Sequence, residues 1–209
     1  MILIPVNCDN ENYKKFPFIT LFIIILCFII LFFTTEKLIW DFGFISAHPK
    51  IYTYITSMFL HGSWLHWISN SVFLFICGFI LENILKRKTF LLLYLLCGIF
   101  SNVIFGLTYP NLHAPLIGAS GAISGLMGLC FIICPKEKIR FFYLILFLFG
   151  IIRLPIFIVL FMWIISQFIY LFTDYSSHVA YMGHIGGFLT GMITGYLILW
   201  YNEKIKKIR

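Results

Sequence analysis

Long runs of apolar residues dominate this sequence, and six of them are long enough to cross a lipid bilayer as helices. A span of the hydrocarbon core needs roughly 17 to 25 mostly apolar residues. The 209 residues are 61% hydrophobic and only 11% charged, a composition that a water-soluble domain does not have. The chain is therefore predicted to be an integral membrane protein.

The six runs predict an all-α membrane protein, a bundle of six transmembrane helices. A shorter apolar stretch, Phe141–Ile152, contains Gly150 and precedes an Arg-Leu-Pro segment, so we interpret it as interfacial or re-entrant. The prediction divides the chain into an N-terminal tail (1–15), a six-helix membrane domain (16–201) and a basic C-terminal tail (202–209). The predicted spans are Phe16–Phe33, Trp64–Leu81, Phe90–Leu107, Ile117–Cys134, Pro155–Phe172 and Val179–Trp200.

The basic residues indicate the orientation of these helices. Six spans place thirteen of the fifteen Lys and Arg residues on the side that holds both termini, and only Lys37 and Lys50 on the other. Because cytoplasmic loops are enriched in Lys and Arg, both termini are predicted to be cytoplasmic. Topology thus explains the net charge of +7. We expect no binding to nucleic acid, since no stacking surface accompanies the basic clusters.

The six cysteines do not predict a disulfide framework or a metal site. Five of them lie in or at the ends of apolar runs, where thiols act as packing groups, and Cys8 lies in the N-terminal tail. Cys130 and Cys134 share a helix face, but no third or fourth metal ligand is evident near them. We therefore expect no metal and no cofactor.

The fourth predicted span begins with a serine among small residues. Ser120 is flanked by Gly118 and Gly121, and Gly125 and Gly128 continue the small-residue pattern. Small residues let a second helix approach closely, and a serine becomes nucleophilic when a base lies within about 2.6 to 3.2 Å of its oxygen. Because most such serines only bond to a backbone carbonyl, the nucleophile interpretation needs a partner.

His184 in the sixth span is the partner that we predict. It lies in a stripe of glycines that recur every four residues, from Gly183 to Gly195. Ionisable groups inside spans are costly and are usually functional. The basic cluster after the fourth span places Ser120 in the outer half of the membrane, and His184 lies at a similar depth. The glycines predicted to pack helices near the site are Gly118, Gly121, Gly125, Gly187 and Gly191.

A second polar pair lies at the start of the second span. His66 and Asn70 are four residues apart on one helix face, again in the outer half. An imidazole N–H and a carboxamide NH₂, with the backbone N–H of Ser120, would stabilise the oxyanion of an acyl-transfer intermediate. The competing interpretation is an interhelical hydrogen-bond pair that has no part in catalysis.

We find no acidic third member for the serine and histidine. Glu82 falls at the cytoplasmic end of the second span, where we expect a structural polar contact. Asp174 lies near His184 but in an exposed outer loop. The sequence therefore predicts a catalytic dyad of Ser120 and His184.

The order and depth of these motifs resemble the rhomboid intramembrane serine proteases in their basic six-helix form, over residues 50–201. The resemblance implies a serine endopeptidase that hydrolyses peptide bonds in or near transmembrane segments of single-pass or multi-pass membrane proteins. It implies that Ser120 is the nucleophile and His184 the general base, in a bilayer such as a bacterial inner membrane, with the site open to the outer face. The motifs that carry it are His66-x-x-x-Asn70, Gly118-Ala-Ser120-Gly121 and His184-x-x-Gly187-x-x-x-Gly191.

Two positions depart from the pattern of many family members. An aromatic residue followed by arginine often precedes the second span, whereas this sequence reads Tyr52-Thr53. Many members also have an aromatic residue four positions after the nucleophile, on which the histidine stacks, and here that position is Ser124. Because Ser124 shares a helix face with Ser120, we expect it to hydrogen-bond to His184 instead.

Two other functions compete with proteolysis. An inactive or catalytically weak rhomboid-like protein would bind transmembrane helices, but its usual mark is a missing serine or histidine, and both are present. A transporter or channel would carry charges along a path through several spans. The predicted spans carry only His66, His184 and the terminal Glu82, so the enzyme is the favoured interpretation.

Overall fold

The computed structural model describes residues 2–8, 13–145, 148–174 and 179–208, with side chains described for 13–142, 150–174 and 179–203. Two short helices and a 3-10 helix lie between the first two long helices. In chain order the elements are β1 (Ile2–Cys8), α1 (Phe18–Phe33), α2 (Glu36–Phe42), α3 (Thr53–Thr56), the 3-10 helix (Ser57–Phe59), α4 (Trp64–Ile84), α5 (Arg87–Thr108), α6 (Ser120–Ile133), β2 (Lys138–Ile145), β3 (Leu148–Pro155), α7 (Ile156–Thr173) and α8 (Tyr181–Ile208).

The described residues form a mostly helical integral membrane protein. Four helices are long and apolar enough to cross a membrane, namely α4, α5, α7 and the Tyr181–Glu203 part of α8, while α1 and α6 are shorter apolar helices. Each of these six overlaps one predicted span, and the count of six membrane crossings stays a prediction. Helix α8 continues to Ile208, so the segment predicted as a C-terminal tail extends the last helix.

Helix α6 lies at the centre of the bundle. Residues 122–130 are all buried, and a helix that is apolar and buried on every side is packed among other helices. It contacts α4, α5, α7 and α8, and its contact with α8 is the most extensive. The first residue of α6, Ser120, is therefore held by the best-packed part of the fold.

The N-terminus of α1 is capped by a side chain from α4. Pro17 supplies no side-chain cap. The buried carboxylate of Glu82 instead accepts hydrogen bonds from the Thr20 N–H and the Thr20 hydroxyl, each at 2.7 Å, and from the Ile19 N–H at 3.2 Å. These bonds satisfy N–H groups that have no partner within the helix, at the end where the helix dipole favours negative charge. Glu82 thus makes a structural polar contact, as the sequence predicts.

The prediction of an all-α fold is wrong in one respect, because three strands form an antiparallel sheet in the order β1-β2-β3. Of the segment predicted as interfacial or re-entrant, residues 141–145 lie in β2 and residues 148–152 in β3, and Ile145 lies opposite Leu148. The predicted N-terminal tail contributes β1, whose Cys8 pairs with Ile139 of β2. These runs are too short to span a membrane as helices, and they satisfy their backbone groups by pairing with one another.

Candidate active site

The turn before α6 determines where Ser120 lies. The backbone of Leu116 pairs with that of Phe44 through two hydrogen bonds of 2.8 and 2.9 Å, and the Gly118 N–H donates to the Ser57 carbonyl at 2.9 Å. Gly118 has a φ of +122°, a conformation that favours glycine because side chains are strained there. The turn places Ser120 at the first position of α6, where the backbone N–H groups have no partner within the helix.

The ring of His66 also requires glycine at position 118. A Cβ at Gly118 would lie 2.7 Å from His66 Nε2 and 2.8 Å from Cε1, closer than non-bonded atoms approach. The absence of a side chain lets the imidazole lie against the backbone just before Ser120. Gly118 therefore precedes α6 and packs against His66. Gly118 thus lets a side chain of α4 pack against the turn before α6, and its role in helix packing stays a prediction.

The structure brings Ser120 and His184 together. His184 lies in the first turn of α8, and its Nε2 is 2.8 Å from the Ser120 Oγ. This is the distance expected between a serine nucleophile and its base. Both side chains are partly buried, which limits the access of bulk water to the contact.

Glycines allow α6 and α8 to approach this closely. A Cβ at Gly187 would collide with the carbonyl oxygen of Gly121, and a Cβ at Gly191 would collide with that of Gly125. Two α8 glycines thus lie directly on the backbone of α6. In α6, Cβ atoms at Gly121 and Gly125 would first meet side chains of α5, whereas a Cβ at Gly128 would collide with the backbone of α8.

A third side chain, which the sequence analysis missed, contacts His184. Gln167 of α7 has its Oε1 2.8 Å from His184 Nδ1 and is only 6% exposed. Asp174, the acid nearest to His184 in the sequence, instead accepts a hydrogen bond from the Tyr181 hydroxyl at 2.6 Å. A signal was present, since Gln167 is the one amide in the apolar sequence of α7 and polar groups in spans usually have partners.

Ser124 does not hydrogen-bond to His184, contrary to our expectation. The Ser124 hydroxyl is buried and has no hydrogen-bond partner among the described residues. The two ring nitrogens of His184 face Ser120 and Gln167 instead. Aromatic packing against the histidine ring comes from α7, where the Trp163 ring lies 5.9 Å from it at an interplanar angle of 38°.

His66 and Asn70 face the same site from α4. The Asn70 Nδ2 atom is buried and has no hydrogen-bond partner in the described part of the chain. Burying an unpaired donor costs about 1–3 kcal/mol, so a role as an interhelical hydrogen bond does not account for it. The His66 ring packs at 5.0 Å, edge to face, on His61. Burial, and to a smaller extent the nearby His66, lowers the pKa of His61 to about 4.

A cavity of about 500 Å³ lies between α4, α6 and α7, and Ser120, His184, His66 and Asn70 form part of its wall. Its size lies within the range of about 300–1,000 Å³ that is usual for ligand sites. Most of the remaining wall is apolar. In the residues that the structure describes, no group of three or more His, Cys, Asp or Glu side chains is arranged to hold a metal ion.

The loop between α1 and α4 is anchored without the arginine of the family pattern. Asn102 of α5 donates from Nδ2 to the Tyr54 carbonyl and to the Ser57 hydroxyl, each at 3.0 Å. Thr53, which occupies the position of that arginine, is buried, and its hydroxyl donates to the Lys50 carbonyl at 2.7 Å. These bonds hold the segment that supports the turn before α6.

Comparison with known proteins gives one consistent family. A family model described as the Rhomboid domain matches residues 48–201. Rhomboid-like protease 3 of Toxoplasma gondii is 28% identical over 165 residues, which are 76% of this chain and 55% of that protein. Rhomboid-like protein 11, chloroplastic, of Arabidopsis thaliana is 36% identical over 81 residues, which are 39% of this chain and 29% of that protein. The chain thus spans less than two thirds of the length of these curated relatives.

Proposed function

The chain belongs to the rhomboid family, and from this premise we propose that it is an intramembrane serine endopeptidase. Its reaction is the hydrolysis of peptide bonds in or near transmembrane segments of single-pass or multi-pass membrane proteins. The observation that carries the proposal is the 2.8 Å contact between His184 Nε2 and Ser120 Oγ, in the wall of a cavity between helices.

Ser120 is the nucleophile in the proposed mechanism. With a proton on Nδ1 of His184, the Nε2 lone pair accepts the hydroxyl proton while the Ser120 oxygen attacks the carbonyl carbon of the substrate. The imidazolium then donates this proton to the leaving amine, and an acyl-enzyme remains. In the second half, a water molecule gives a proton to His184 and attacks the acyl carbon. His184 then returns this proton to the leaving Ser120 oxygen, which restores the serine and the neutral imidazole.

Three N–H groups stabilise the oxyanion in this mechanism. They are the NH₂ of Asn70, a ring N–H of His66 and the backbone N–H of Ser120. The unpaired donor of Asn70 and the position of Ser120 at the positive end of the α6 dipole support this assignment. Loss of a single oxyanion donor typically lowers kcat by roughly 10² to 10³.

The length of α6 supports a site below the outer membrane surface. Its 14 residues extend about 21 Å at 1.5 Å per residue, which is shorter than the hydrocarbon core of about 30 Å. If the opposite end of α6 lies near the cytoplasmic face, Ser120 lies in the outer half of the bilayer. A substrate helix would have to unwind to enter the cavity, which favours small or helix-breaking residues near the cleaved bond.

The proposed topology has six spans over residues 16–201, with both termini in the cytoplasm and the active site open to the outer face of a bacterial-type inner membrane. The strong bias of Lys and Arg toward one side of the predicted topology supports this orientation. Each of the four helices of bilayer length overlaps a predicted span.

The decisive experiment compares wild type with Ser120→Ala in detergent and in proteoliposomes. We expect wild type to react with a fluorophosphonate probe and to cleave a model single-pass transmembrane substrate, and Ser120→Ala to do neither. Ser124→Ala is a matched control, because it removes a buried hydroxyl one turn further along the same helix. Cleavage by Ser120→Ala would exclude the proposed nucleophile. Substrate binding without cleavage by wild type would indicate the non-proteolytic alternative.

A further inference from the structure

We infer that Gln167 positions His184 for catalysis, by accepting a hydrogen bond from Nδ1–H so that the Nε2 lone pair is directed at Ser120. The inference rests on the proposed function and adds a positioning residue to it. It starts from the 2.8 Å separation of Gln167 Oε1 and His184 Nδ1. A neutral imidazole carries one N–H, on either nitrogen. An acceptor oxygen facing Nδ1 therefore fixes the tautomer that the proposed base requires.

Hydrogen bonds within α7 fix the orientation of the Gln167 amide. The Ser166 hydroxyl donates to the Trp163 carbonyl at 2.6 Å. Since a hydroxyl has a single donor, the Ser166 oxygen acts as an acceptor toward the Gln167 Nε2 at 3.2 Å. The NH₂ of Gln167 thus faces Ser166, and the carbonyl oxygen faces His184. Each hydrogen bond in the series that links Trp163, Ser166, Gln167, His184 and Ser120 then has a single direction from donor to acceptor.

The neutral amide suits the environment of α7. This helix is the least buried of the four candidate spans, and an ionised carboxylate facing an apolar environment is costly unless it is paired. An amide offers an acceptor oxygen without that cost. Because it brings no charge to stabilise the imidazolium, its contribution lies in orientation and tautomer. Trp163, which packs on the histidine ring, restricts the same ring from the side.

Three variants separate the acceptor from the packing of Gln167. Gln167→Met keeps an unbranched side chain of similar length and removes the oxygen, whereas Gln167→Glu keeps an oxygen in the same place. Thr173→Val is a control on the same helix, because the Thr173 hydroxyl donates to the Ile169 carbonyl of that helix. We expect kcat to fall roughly 10²-fold in Gln167→Met and to stay within about tenfold of wild type in Gln167→Glu. We expect KM to be unchanged in Gln167→Met and Tm to fall by a few degrees, because one buried N–H loses its acceptor. We expect Thr173→Val to match wild type.

The ¹⁵N spectrum of histidine-labelled protein reports the tautomer directly, with the His184 signals assigned by their loss in His184→Ala. We expect the Nδ1–H tautomer in wild type and Gln167→Glu, and a mixture of tautomers in Gln167→Met. Wild-type kcat in Gln167→Met would overturn the inference, and so would a loss of kcat with the wild-type tautomer retained. The Ser120→Ala variant distinguishes failure of this inference from failure of the proposed function. If Ser120→Ala still hydrolyses substrate, the proposed function fails, whereas an inactive Ser120→Ala beside a fully active Gln167→Met removes only the positioning role.

Discussion

Replacing Gly187 by alanine tests whether the close approach of α6 and α8 sets the geometry of the site. The new Cβ would overlap the Gly121 carbonyl oxygen, and would lie 3.1 Å from the carbonyl carbon and 3.3 Å from the Ser124 Cβ. Carbon and oxygen atoms in close contact normally lie about 3.3 to 3.6 Å apart. A backbone carbonyl in a helix cannot rotate away as a side chain can. The two helices must therefore separate by about 1 Å.

This separation would break the contact between Ser120 Oγ and His184 Nε2, which are 2.8 Å apart. A misplacement of about 1 Å can lower the rate roughly 10²-fold. We therefore expect kcat of Gly187→Ala to be about two orders of magnitude below wild type. Gly187→Val places two further methyl groups against the backbone of α6, and we expect it to be nearly inactive.

Gly195 is the matched control, about two turns further along α8. A Cβ there would meet side-chain atoms of Ile132 at 3.0 and 3.2 Å and of Leu129 at 3.4 Å, and side chains can shift. We expect Gly195→Ala to keep near wild-type kcat and to change Tm more than turnover. The assay measures kcat on a transmembrane substrate and Tm in the same detergent. A Gly187→Ala protein with wild-type kcat would refute the link between this packing and the chemistry.

Four other substitutions or conditions give measurable outcomes. Asn70→Ala removes one oxyanion donor, which stabilises the transition state by on the order of 3 kcal/mol, so kcat should fall roughly 10²-fold. Unchanged kcat in both Asn70→Ala and His66→Ala would contradict the assignment of these side chains as oxyanion donors. Gly118→Ala imposes a positive φ on alanine and pushes on the His66 ring, so thermal unfolding should show a loss of about 1–3 kcal/mol, together with lower kcat. Glu82→Ala leaves the donors at the start of α1 unpaired, which should cost about 3 kcal/mol in chemical denaturation, whereas Glu82→Gln should cost less. Because the pKa of folded His61 is about 4, below its ordinary value of 6.5, the unfolded chain binds more protons between these values. Stability should be full above pH 6.5 and fall by up to about 3 kcal/mol as the pH approaches 4, and Tm of His61→Phe should depend less on pH.

Local signals in the sequence were enough to predict the class of protein and its family. An apolar run of bilayer length is visible in consecutive residues, and α1, α4, α5, α6, α7 and α8 each overlap one such run. The spacing of His66 and Asn70, the small residues around Ser120 and the glycines after His184 predicted the rhomboid family, which the match over residues 48–201 confirms. These motifs depend on residues a few positions apart, so no knowledge of long-range contacts was required.

The three-stranded sheet could not be predicted in the same way. A short apolar run such as the one in β2 has no periodicity that separates a strand from a buried or interfacial helix. Its pairing partner β1 lies more than a hundred residues earlier, with Cys8 opposite Ile139. The hydrogen bonds that decide between the alternatives therefore join residues that are far apart in the sequence.

Gln167 shows why the candidate site itself was only partly predictable. An acidic residue is the expected third member, because carboxylates fill that place in soluble serine proteases. In a helix that faces lipid, an amide supplies the acceptor oxygen at a lower desolvation cost than a carboxylate. The need for an acceptor at the histidine Nδ1 is thus met by a different residue type. Whether the amide reaches His184 depends on the rotation of α7 about its axis, which is set by buried contacts such as those of Leu160 and Ile156. The sequence predicts the depth of Gln167 within its span, but it does not predict the direction in which the side chain points. A lone amide at the depth of an intramembrane serine and histidine is therefore a candidate acceptor to test before a two-residue site is assigned.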